Sequence, residues 1–174
     1  MHIRPASIDD LAPIDAIYHH YVVNSHATFE LETTSREAWF EFFDGARYQC
    51  WVAENPAHHT PSPDGSPAIL GYACSHRFRP RGAYRTSIEV SVYLHPEATG
   101  RGIGKRLYAA LFDSLAKRDD LHRAYAGIAL PNAASVALHQ SFGFEQVAHF
   151  SEVGFKFGKY WDVIWLERGL PIDH

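Results

Sequence analysis

The feature that most constrains this chain is the glycine-rich segment TGRGIGKR at residues 99–106. It follows an alternating apolar and polar run at residues 88–94, which predicts a β-strand. It leads into residues 107–116, whose apolar side chains recur at helical spacing. A strand that passes through a glycine-rich turn into a helix directs several backbone N–H groups and the positive end of the helix dipole at one point. The sequence therefore predicts an anion-binding site at this turn.

Two common anion-binding motifs do not fit the turn. A P-loop requires the pattern G-x-x-x-x-G-K-S/T, which residues 100–106 do not supply. A dinucleotide-binding fingerprint lies in the first of several βαβ units, whereas this chain has one late crossover of that kind. On the glycines alone, a tight strand-to-helix connection without a ligand stays open as the alternative.

The remaining elements are predicted from hydrophobic periodicity and from Gly and Pro residues. Ser7 and Asp10 have the spacing of a capping box, although Pro13 favours a later start for the first helix. The predicted strands lie at residues 2–6, 48–54, 68–75, 124–130, 144–150 and 162–167, and the other helices at residues 35–43 and 133–141. Residues 25–34, the proline-rich residues 55–67 and residues 153–161 are typical of loops and turns, and we expect 55–67 to be exposed.

The order of these elements indicates the fold class. Written β-α-α-β-β-β-α-β-α-β-β, it combines an antiparallel meander with one βαβ crossover, which is typical of α+β proteins. A chain of 174 residues without internal repeats predicts a single domain at residues 1–174.

Composition excludes several functional classes. The net charge of −4 argues against a protein that coats nucleic acid. The N-terminus lacks an apolar signal core and no segment reaches membrane-spanning length, so we expect a cytoplasmic protein without membrane partners. The 12 histidines include adjacent pairs that do not share a helix face, and no H-E-x-x-H pattern occurs, so we expect no metal site.

Several motifs give a resemblance to a known family. Residues 99–104 resemble the Gln/Arg-x-x-Gly-x-Gly/Ala turn of the GNAT superfamily of acetyl-CoA-dependent acyltransferases, with Thr99 in place of the usual Gln or Arg. Residues 132–144 resemble the superfamily pattern N-x-x-A/S-x-x-L/F-Y/H-x-x-x-G-F/Y. Further similarity to the phosphinothricin and methionine sulfoximine N-acetyltransferase branch lies at residues 20–30, 84–94 and 153–163.

The resemblance implies the GNAT fold, a central mixed and mostly antiparallel sheet flanked by helices, with acetyl-CoA as co-substrate. The glycine-rich turn would cradle the pyrophosphate, and the preceding strand would pair with the pantetheine arm. Asn132 would contact that arm, although an Asn there is also a common helix N-cap. The implied cofactor-binding residues are Val92, Tyr93, Leu94, Gly100, Arg101, Gly102, Ile103, Gly104, Lys105, Arg106, Asn132 and Ser135.

Catalytic candidates follow from the chemistry of an amine acceptor. An amine is mostly protonated at neutral pH and must lose a proton before it attacks a thioester. Glu89, on the strand before the turn, is the predicted base, acting directly or through water; the alternative is a strand carboxylate that faces solvent. His139 occupies the family position of a Tyr that protonates the leaving thiolate, and a histidine there could act as acid or as base. Tyr108 is a weaker candidate acid, with core packing as its alternative. The backbone N–H of Tyr93 or a neighbour would meet the oxyanion.

Acceptor binding is predicted from an arginine-rich segment and from aromatic residues. Arginine presents paired donors to a carboxylate, a phosphinate or a sulfoximine, whereas a solvated basic loop is the alternative for any one of them. The resemblance adds a lysine and a tyrosine near the C-terminus that could act from either chain of a homodimer. The candidate substrate-binding residues are Phe29, Arg77, Arg79, Arg81, Tyr84, Arg85, Lys156 and Tyr160.

These inferences favour an N-acetyltransferase whose partner is a small amino-acid-like amine, with phosphinothricin and methionine sulfoximine as models. One alternative is acetylation of a protein N-terminus or another amine. A non-catalytic module that binds acyl-CoA is the other. The resemblance also implies a homodimer.

Overall fold

A computed structural model describes residues 1–32, 47–55 and 68–170. The helix predicted at residues 35–43 lies outside the described residues, and so does the proline-rich loop apart from Asn55. None of the helices in the described ranges is both long enough and apolar enough to cross a membrane.

The described strands form one sheet in the order β1–β2–β3–β4–β5–β7–β6. Every neighbouring pair is antiparallel except β4 and β5, which are parallel. The predicted α+β class is therefore confirmed, because the meander and the single crossover share one sheet. The strands are β1 His2–Pro5, β2 Cys50–Glu54, β3 Ile69–Arg77, β4 Ser87–Leu94, β5 Arg123–Ala129, β6 Glu145–Lys156 and β7 Lys159–Gly169.

Three α-helices flank this sheet in the described residues, α1 Leu11–Asn24, α2 Ile103–Leu115 and α3 Ala133–Ser141. The capping box of Ser7 and Asp10 starts a single 3₁₀ turn, Ile8–Asp10, and α1 begins only at Leu11. The later start agrees with Pro13, which lies in the first turn of α1, where its missing N–H costs nothing.

Alternation along β4 divides the core between the two faces of the sheet. Ile88 and Val90 are buried on the α2 face, together with the apolar side of that helix. Glu89, Ser91 and Tyr93 face α1, where a second and smaller apolar cluster lies. Successive strand residues point to opposite faces, so β4 contributes core residues on one face and candidate site residues on the other.

The C-terminal hairpin differs from the prediction. The sequence suggested a turn-rich stretch at residues 153–161, whereas β6 continues to Lys156 and β7 begins at Lys159. Phe157 and Gly158 alone make the turn, with φ values of 54° and 73°. Two successive residues with positive φ are the requirement of a tight hairpin, and the aromatic residues on either side favour strands.

The parallel pair β4–β5 is short and then opens. Its register joins Ser87 to Arg123, Ile88 to Ala124 and Glu89 to Tyr125, and no further pair joins the two strands in the described ranges. Residues 90–94 and 126–129 therefore face each other across a gap in the sheet. This gap is where the candidate site lies.

Candidate active site

One cavity of about 580 Å³, here called the α2 cavity, opens at the gap between β4 and β5. Its walls are residues 90–94 of β4, residues 127–129 of β5, the start of α2 and one side of α3. Beyond Glu89 the edge of β4 that faces β5 is unpaired, so the N–H and C=O groups on that edge are available to a ligand that runs beside the strand.

The start of α2 supplies an anion-binding arrangement at one end of the α2 cavity. Gly100 and Gly102 both adopt φ of 72°, a conformation that residues with a side chain rarely take. The first intrahelical bond runs from Arg106 N to Gly102 O, so the N–H groups of the preceding residues have no partner within the helix. Gly104 and Lys105 line the cavity, and a diphosphate group would fit against these N–H groups and the helix dipole.

The remaining cofactor-binding candidates near this turn contribute in different ways. Arg101, Lys105 and Arg106 are exposed cations beside the helix terminus, suited to contact phosphate oxygens. Ile103 is buried in the core under α2, so it can contribute its backbone alone.

Asn132 and Ser135 lie on the opposite wall of the α2 cavity, at the start of α3. Asn132 Oδ1 accepts a hydrogen bond from Ser135 N at 3.1 Å, so Asn132 caps the helix. Both residues also line the cavity, and the N-cap role is therefore compatible with contact to a ligand.

His139 is only 3% exposed, and both of its ring nitrogens have partners. Nδ1 lies 2.8 Å from Ser135 O, which only accepts, so we assign the proton to Nδ1. Nε2 then accepts from the Tyr108 hydroxyl at 2.8 Å. Burial lowers the pKa of His139, which keeps the ring neutral. With both nitrogens occupied, His139 joins α3 to α2, and this placement speaks against direct proton transfer.

Tyr108 does not reach either cavity, because its side chain is fully buried behind His139. Its ring packs edge-on against Phe112 and Phe142, and burial raises the pKa of its hydroxyl well above the usual value. The expectation that Tyr108 donates a proton to a leaving thiolate therefore conflicts with its geometry. Its observed role is the hydrogen bond to His139.

A second cavity of about 500 Å³, here called the α1 cavity, lies on the other face of the sheet. Its floor consists of alternate residues of β3 and β4, which the register pairs as His76 with Glu89, Cys74 with Ser91 and Tyr72 with Tyr93. The segment that follows α1 covers it, and β7 closes one side. The two cavities share the lining residues Ala27, Ser91, Tyr93, Gly127 and Ala129, so they meet at the gap in the sheet.

Glu89 lines the α1 cavity next to this meeting point. Burial raises the pKa of its carboxyl from 4.5 to about 7, and the nearby positive charge of Arg79 opposes the rise only in part. A carboxyl with a pKa near neutrality can both accept and release a proton at pH 7. The alternative of a solvent-facing carboxylate does not fit this burial.

Among the four candidate arginines only Arg77 lines the α1 cavity. The Arg79 guanidinium lies over the rings of Phe78 and Trp165, at 4.4 and 5.1 Å from the two ring centres. Arg81 and Arg85 are exposed on the loop beyond β3 and do not line either cavity.

Of the other acceptor-binding candidates, Phe29 lines the α1 cavity, whereas Tyr84 is exposed outside it. Lys156 is 4% exposed, and its Nζ donates to two backbone carbonyls rather than pointing into a cavity. Tyr160 is 62% exposed and packs against Phe155 on the outer surface of the hairpin. The structure therefore places Glu89, Arg77 and Phe29 in the lining of the α1 cavity and the other acceptor-binding candidates outside that lining, although Arg79 is near enough for its charge to act on Glu89.

Sequence reasoning missed several lining residues of the α1 cavity. They come from α1, the segment that follows it, β3 and β7. Their alternation on the strands was visible in the sequence, but the strand pairing that joins them to Glu89 was not. These residues are Tyr18, His26, Thr28, Tyr72, His76, Val163 and Trp165.

Comparison with known proteins identifies the class. Residues 3–165 match the family model described as the acetyltransferase (GNAT) domain. The chain belongs to the GNAT acetyltransferases, and it is an N-acetyltransferase with acetyl-CoA as its co-substrate. The α2 cavity fits this co-substrate, because it combines a helix N-terminus for a diphosphate with an open strand edge for an extended arm.

The relatives are similar along nearly their whole length. The chain is 47% identical over 172 residues to a phosphinothricin N-acetyltransferase of Streptomyces coelicolor, with 97% of this chain and 95% of the relative covered. It is 35% identical over 173 residues to an L-methionine sulfoximine/L-methionine sulfone acetyltransferase of Salmonella typhimurium, with 98% and 95% covered. A phosphinothricin acetyltransferase of Sinorhizobium meliloti, solved with acetyl-CoA, aligns with a TM-score of 0.85 at 34% identity, covering 97% of this chain and 88% of the other.

Proposed function

We propose that this chain acetylates the amino group of a small amino acid or amino-acid analogue, with phosphinothricin and methionine sulfoximine as model acceptors. The observation that carries the proposal is the position of Glu89 in the α1 cavity, next to its junction with the α2 cavity. A volume of about 500 Å³ suits a small molecule. The relatives' names support the same acceptor class.

The proposed mechanism is direct transfer with Glu89 as base. Acetyl-CoA supplies a thioester whose carbonyl carbon accepts the amine. The start of α2 and the open edge of β4 hold the co-substrate so that its reactive end lies at the junction of the two cavities. Glu89 takes a proton from the acceptor's ammonium group, directly or through one water, and the resulting amine attacks the thioester carbonyl. Collapse of the tetrahedral intermediate breaks the C–S bond. The departing CoA thiolate takes up the proton that the nitrogen loses as the amide forms, through water at the junction of the two cavities. The backbone N–H of Tyr93 is the candidate donor to the developing oxyanion.

Acceptor recognition combines one cation with apolar walls. Arg77 lines the α1 cavity at the end of β3, and its guanidinium is the group that we propose donates two hydrogen bonds to the acceptor's carboxylate or phosphinate. Phe29 and Trp165 supply apolar surface for the acceptor's side chain. Arg77→Ala is expected to raise the acceptor KM strongly, whereas Arg81→Ala, outside both cavities, serves as its control. Equal effects of the two substitutions on the acceptor KM would count against this role.

The protein is further proposed to be a cytoplasmic homodimer of single-domain chains. Support for the dimer comes from the β6–β7 hairpin, where Val153, Phe155, Phe157 and Tyr160 are each more than half exposed. An exposed apolar strand at a sheet edge is a surface that proteins normally cover.

The test is an acetylation assay with purified protein, acetyl-CoA and a reagent that detects free thiol. The acceptor panel contains phosphinothricin, methionine sulfoximine, methionine and short peptides with a free N-terminus. Thiol release with the amino acids and not with the peptides is the expected result. Turnover of peptides alone would instead support a protein acceptor. Binding of acetyl-CoA in calorimetry without any turnover would support a non-catalytic module.

A further inference from the structure

Lys156 is a buried cation whose position the proposed mechanism does not explain. It lies near the end of β6, and its side chain is 4% exposed. Its Nζ donates to Ser25 O and to Thr28 O, each at 2.8 Å. Its ammonium group is therefore directed at the main chain of another segment more than 125 positions away in the sequence.

The segment that Lys156 holds is residues 25–30, here called the α1 exit segment. It contains no regular strand or helix, so its carbonyl groups depend on partners from elsewhere. Residues 26–30 line the α1 cavity and form its cover. Tyr18 also fixes this cover, because its hydroxyl lies 2.8 Å from Thr28 Oγ1.

Two neighbours of Lys156 on the hairpin contact the same segment. Gly154 faces the ring of Phe29 so closely that a Cβ on residue 154 would overlap it. Trp161 stacks flat on His26, with ring centres 4.0 Å apart and planes inclined by 2°. The Trp161 Nε1–H donates to Lys156 O at 2.9 Å, which connects the stack on His26 to the lysine.

We propose that Lys156 is a positioning residue for the acceptor: by bonding the carbonyls of Ser25 and Thr28, it fixes the α1 exit segment over the α1 cavity. This inference rests on the proposed function, because the cavity is taken as the acceptor site. Lys156 does not contact the acceptor in this arrangement. It sets the position of Phe29 and its neighbours, which present the amine to Glu89.

Kinetics separate this role from direct substrate binding. In Lys156→Met the two carbonyls lose their donor, and the acceptor KM is expected to rise about tenfold, since misplaced binding groups weaken positioning. The acetyl-CoA KM is expected to stay within about twofold, because the α2 cavity keeps its contacts. Lys159→Met is the matched control: Lys159 lies on the same hairpin with its Nζ 3.9 Å from the centre of the Trp161 ring.

A second experiment uses the acceptor's carboxylate to distinguish a positioning role of Lys156 from direct binding of the substrate. Each variant is assayed with the amino acid and with its carboxamide, which lacks the negative charge. A positioning role raises both acceptor KM values by the same factor. A rise confined to the carboxylate form would mean that Lys156 binds the substrate directly, and would overturn the proposal.

Hydrogen–deuterium exchange of residues 25–30 tests the same role without turnover. Faster exchange in Lys156→Met than in the wild type and in Lys159→Met is expected. Equal exchange in all three proteins would overturn the proposal. If Lys156→Met does not fold, Lys156→Gln replaces it with the same criteria. If the wild type acetylates no amine, the proposed function fails while the exchange result still decides the role of Lys156.

Discussion

At the scale of single residues, one buried and one partly buried carboxyl show how surroundings set the charge of a carboxyl group. Burial raises the pKa of Asp10, but hydrogen bonds from Arg4 at 2.7 and 2.8 Å and from Ser7 outweigh it, and the pKa is lowered overall. Glu89 is partly buried, the charge of Arg79 offsets its loss of solvation only in part, and its pKa rises to about 7. Asp10 is therefore a permanent anion that anchors the chain before α1, whereas Glu89 exchanges protons near neutral pH.

The first prediction concerns catalysis by Glu89. Glu89→Gln is expected to lower kcat by about 100-fold or more, because it removes the general base. In the wild type, kcat/KM is expected to rise with pH and to level off above about 7, where the carboxyl is ionised. Steady-state rates between pH 5.5 and 9 measure this limb. A wild-type profile without this limb, or an active Glu89→Gln variant, would exclude Glu89 as the base.

The same substitution has a consequence for stability. The folded-state pKa of Glu89, about 7, lies above the ordinary value of 4.5. Between these two pH values the folded protein therefore binds more protons than the unfolded chain. The free energy of unfolding consequently falls as pH rises through that range. Glu89→Gln should therefore raise the free energy of unfolding at pH 8 by roughly 2–3 kcal/mol. Denaturant titrations at pH 5 and pH 8 measure the difference, which should be smaller at pH 5.

Tyr108 gives the second prediction. Tyr108→Phe leaves Nε2 of buried His139 without a donor, which should cost about 1–2 kcal/mol of unfolding free energy. Its kcat should stay within about twofold of the wild type, whereas loss of a proton donor would lower it by about 100-fold or more. Urea unfolding and steady-state kinetics on the same preparation provide both numbers. A large fall in kcat with unchanged stability would restore Tyr108 as the catalytic acid.

At the scale of elements, the sequence predicted the caps and turns that depend on a few neighbouring residues. The Asn132 cap and the glycine-rich turn before α2 both followed from residue types at fixed spacing. The hairpin at residues 153–161 was predicted wrongly, because glycine and lysine residues there suggested turns. The long β6–β7 ladder keeps these residues in strands through cross-strand pairs that a single segment does not reveal.

The third prediction concerns the turn before α2. Gly102→Ala forces a residue with a side chain into φ of 72°, at a cost of about 1–2 kcal/mol. Because Gly102 lines the α2 cavity, the acetyl-CoA KM should rise several-fold while the acceptor KM is unchanged. Gly82→Ala is the control, since no atom lies within 4 Å of a Cβ at residue 82 and its φ is not in the positive range. Matching acetyl-CoA KM values for the two variants would contradict the role of the turn.

At the scale of the whole molecule, the site depends on contacts between distant parts of the chain. The family resemblance carried by Asn132 and the glycines indicated the co-substrate, and the place of Glu89 on the strand before the turn indicated a candidate base. The acceptor side was predicted less well. Only Arg77 of the four arginines lines the α1 cavity, and Lys156 donates to the α1 exit segment. Strand register and the path of the loops decide these positions, and neither can be read from a single segment of the sequence. The Tyr108–His139 bond likewise joins two helices that sequence alone did not bring together.

The fourth prediction concerns assembly. If the exposed apolar face of the β6–β7 hairpin contacts a second copy, sedimentation equilibrium should give twice the mass of the chain. The double variant Phe155→Lys/Phe157→Lys should give the single-chain mass, because it places charges on that face. Val23→Lys, at an exposed apolar residue on α1, should remain a dimer. A monomeric wild type, or a dimeric double variant, would contradict this surface.

The gap between β4 and β5 also means that the sheet is incomplete in the protein alone. Pairing stops at Glu89, and the facing edges beyond it lack the strand that would fill them. We propose that the pantetheine arm pairs with β4 there, which would put acetyl-CoA in the place of the absent strand. A saturating ligand at 100 times its Kd stabilises a fold by about 2.7 kcal/mol. Thermal unfolding with and without acetyl-CoA should therefore show a higher Tm when the substrate supplies this missing strand.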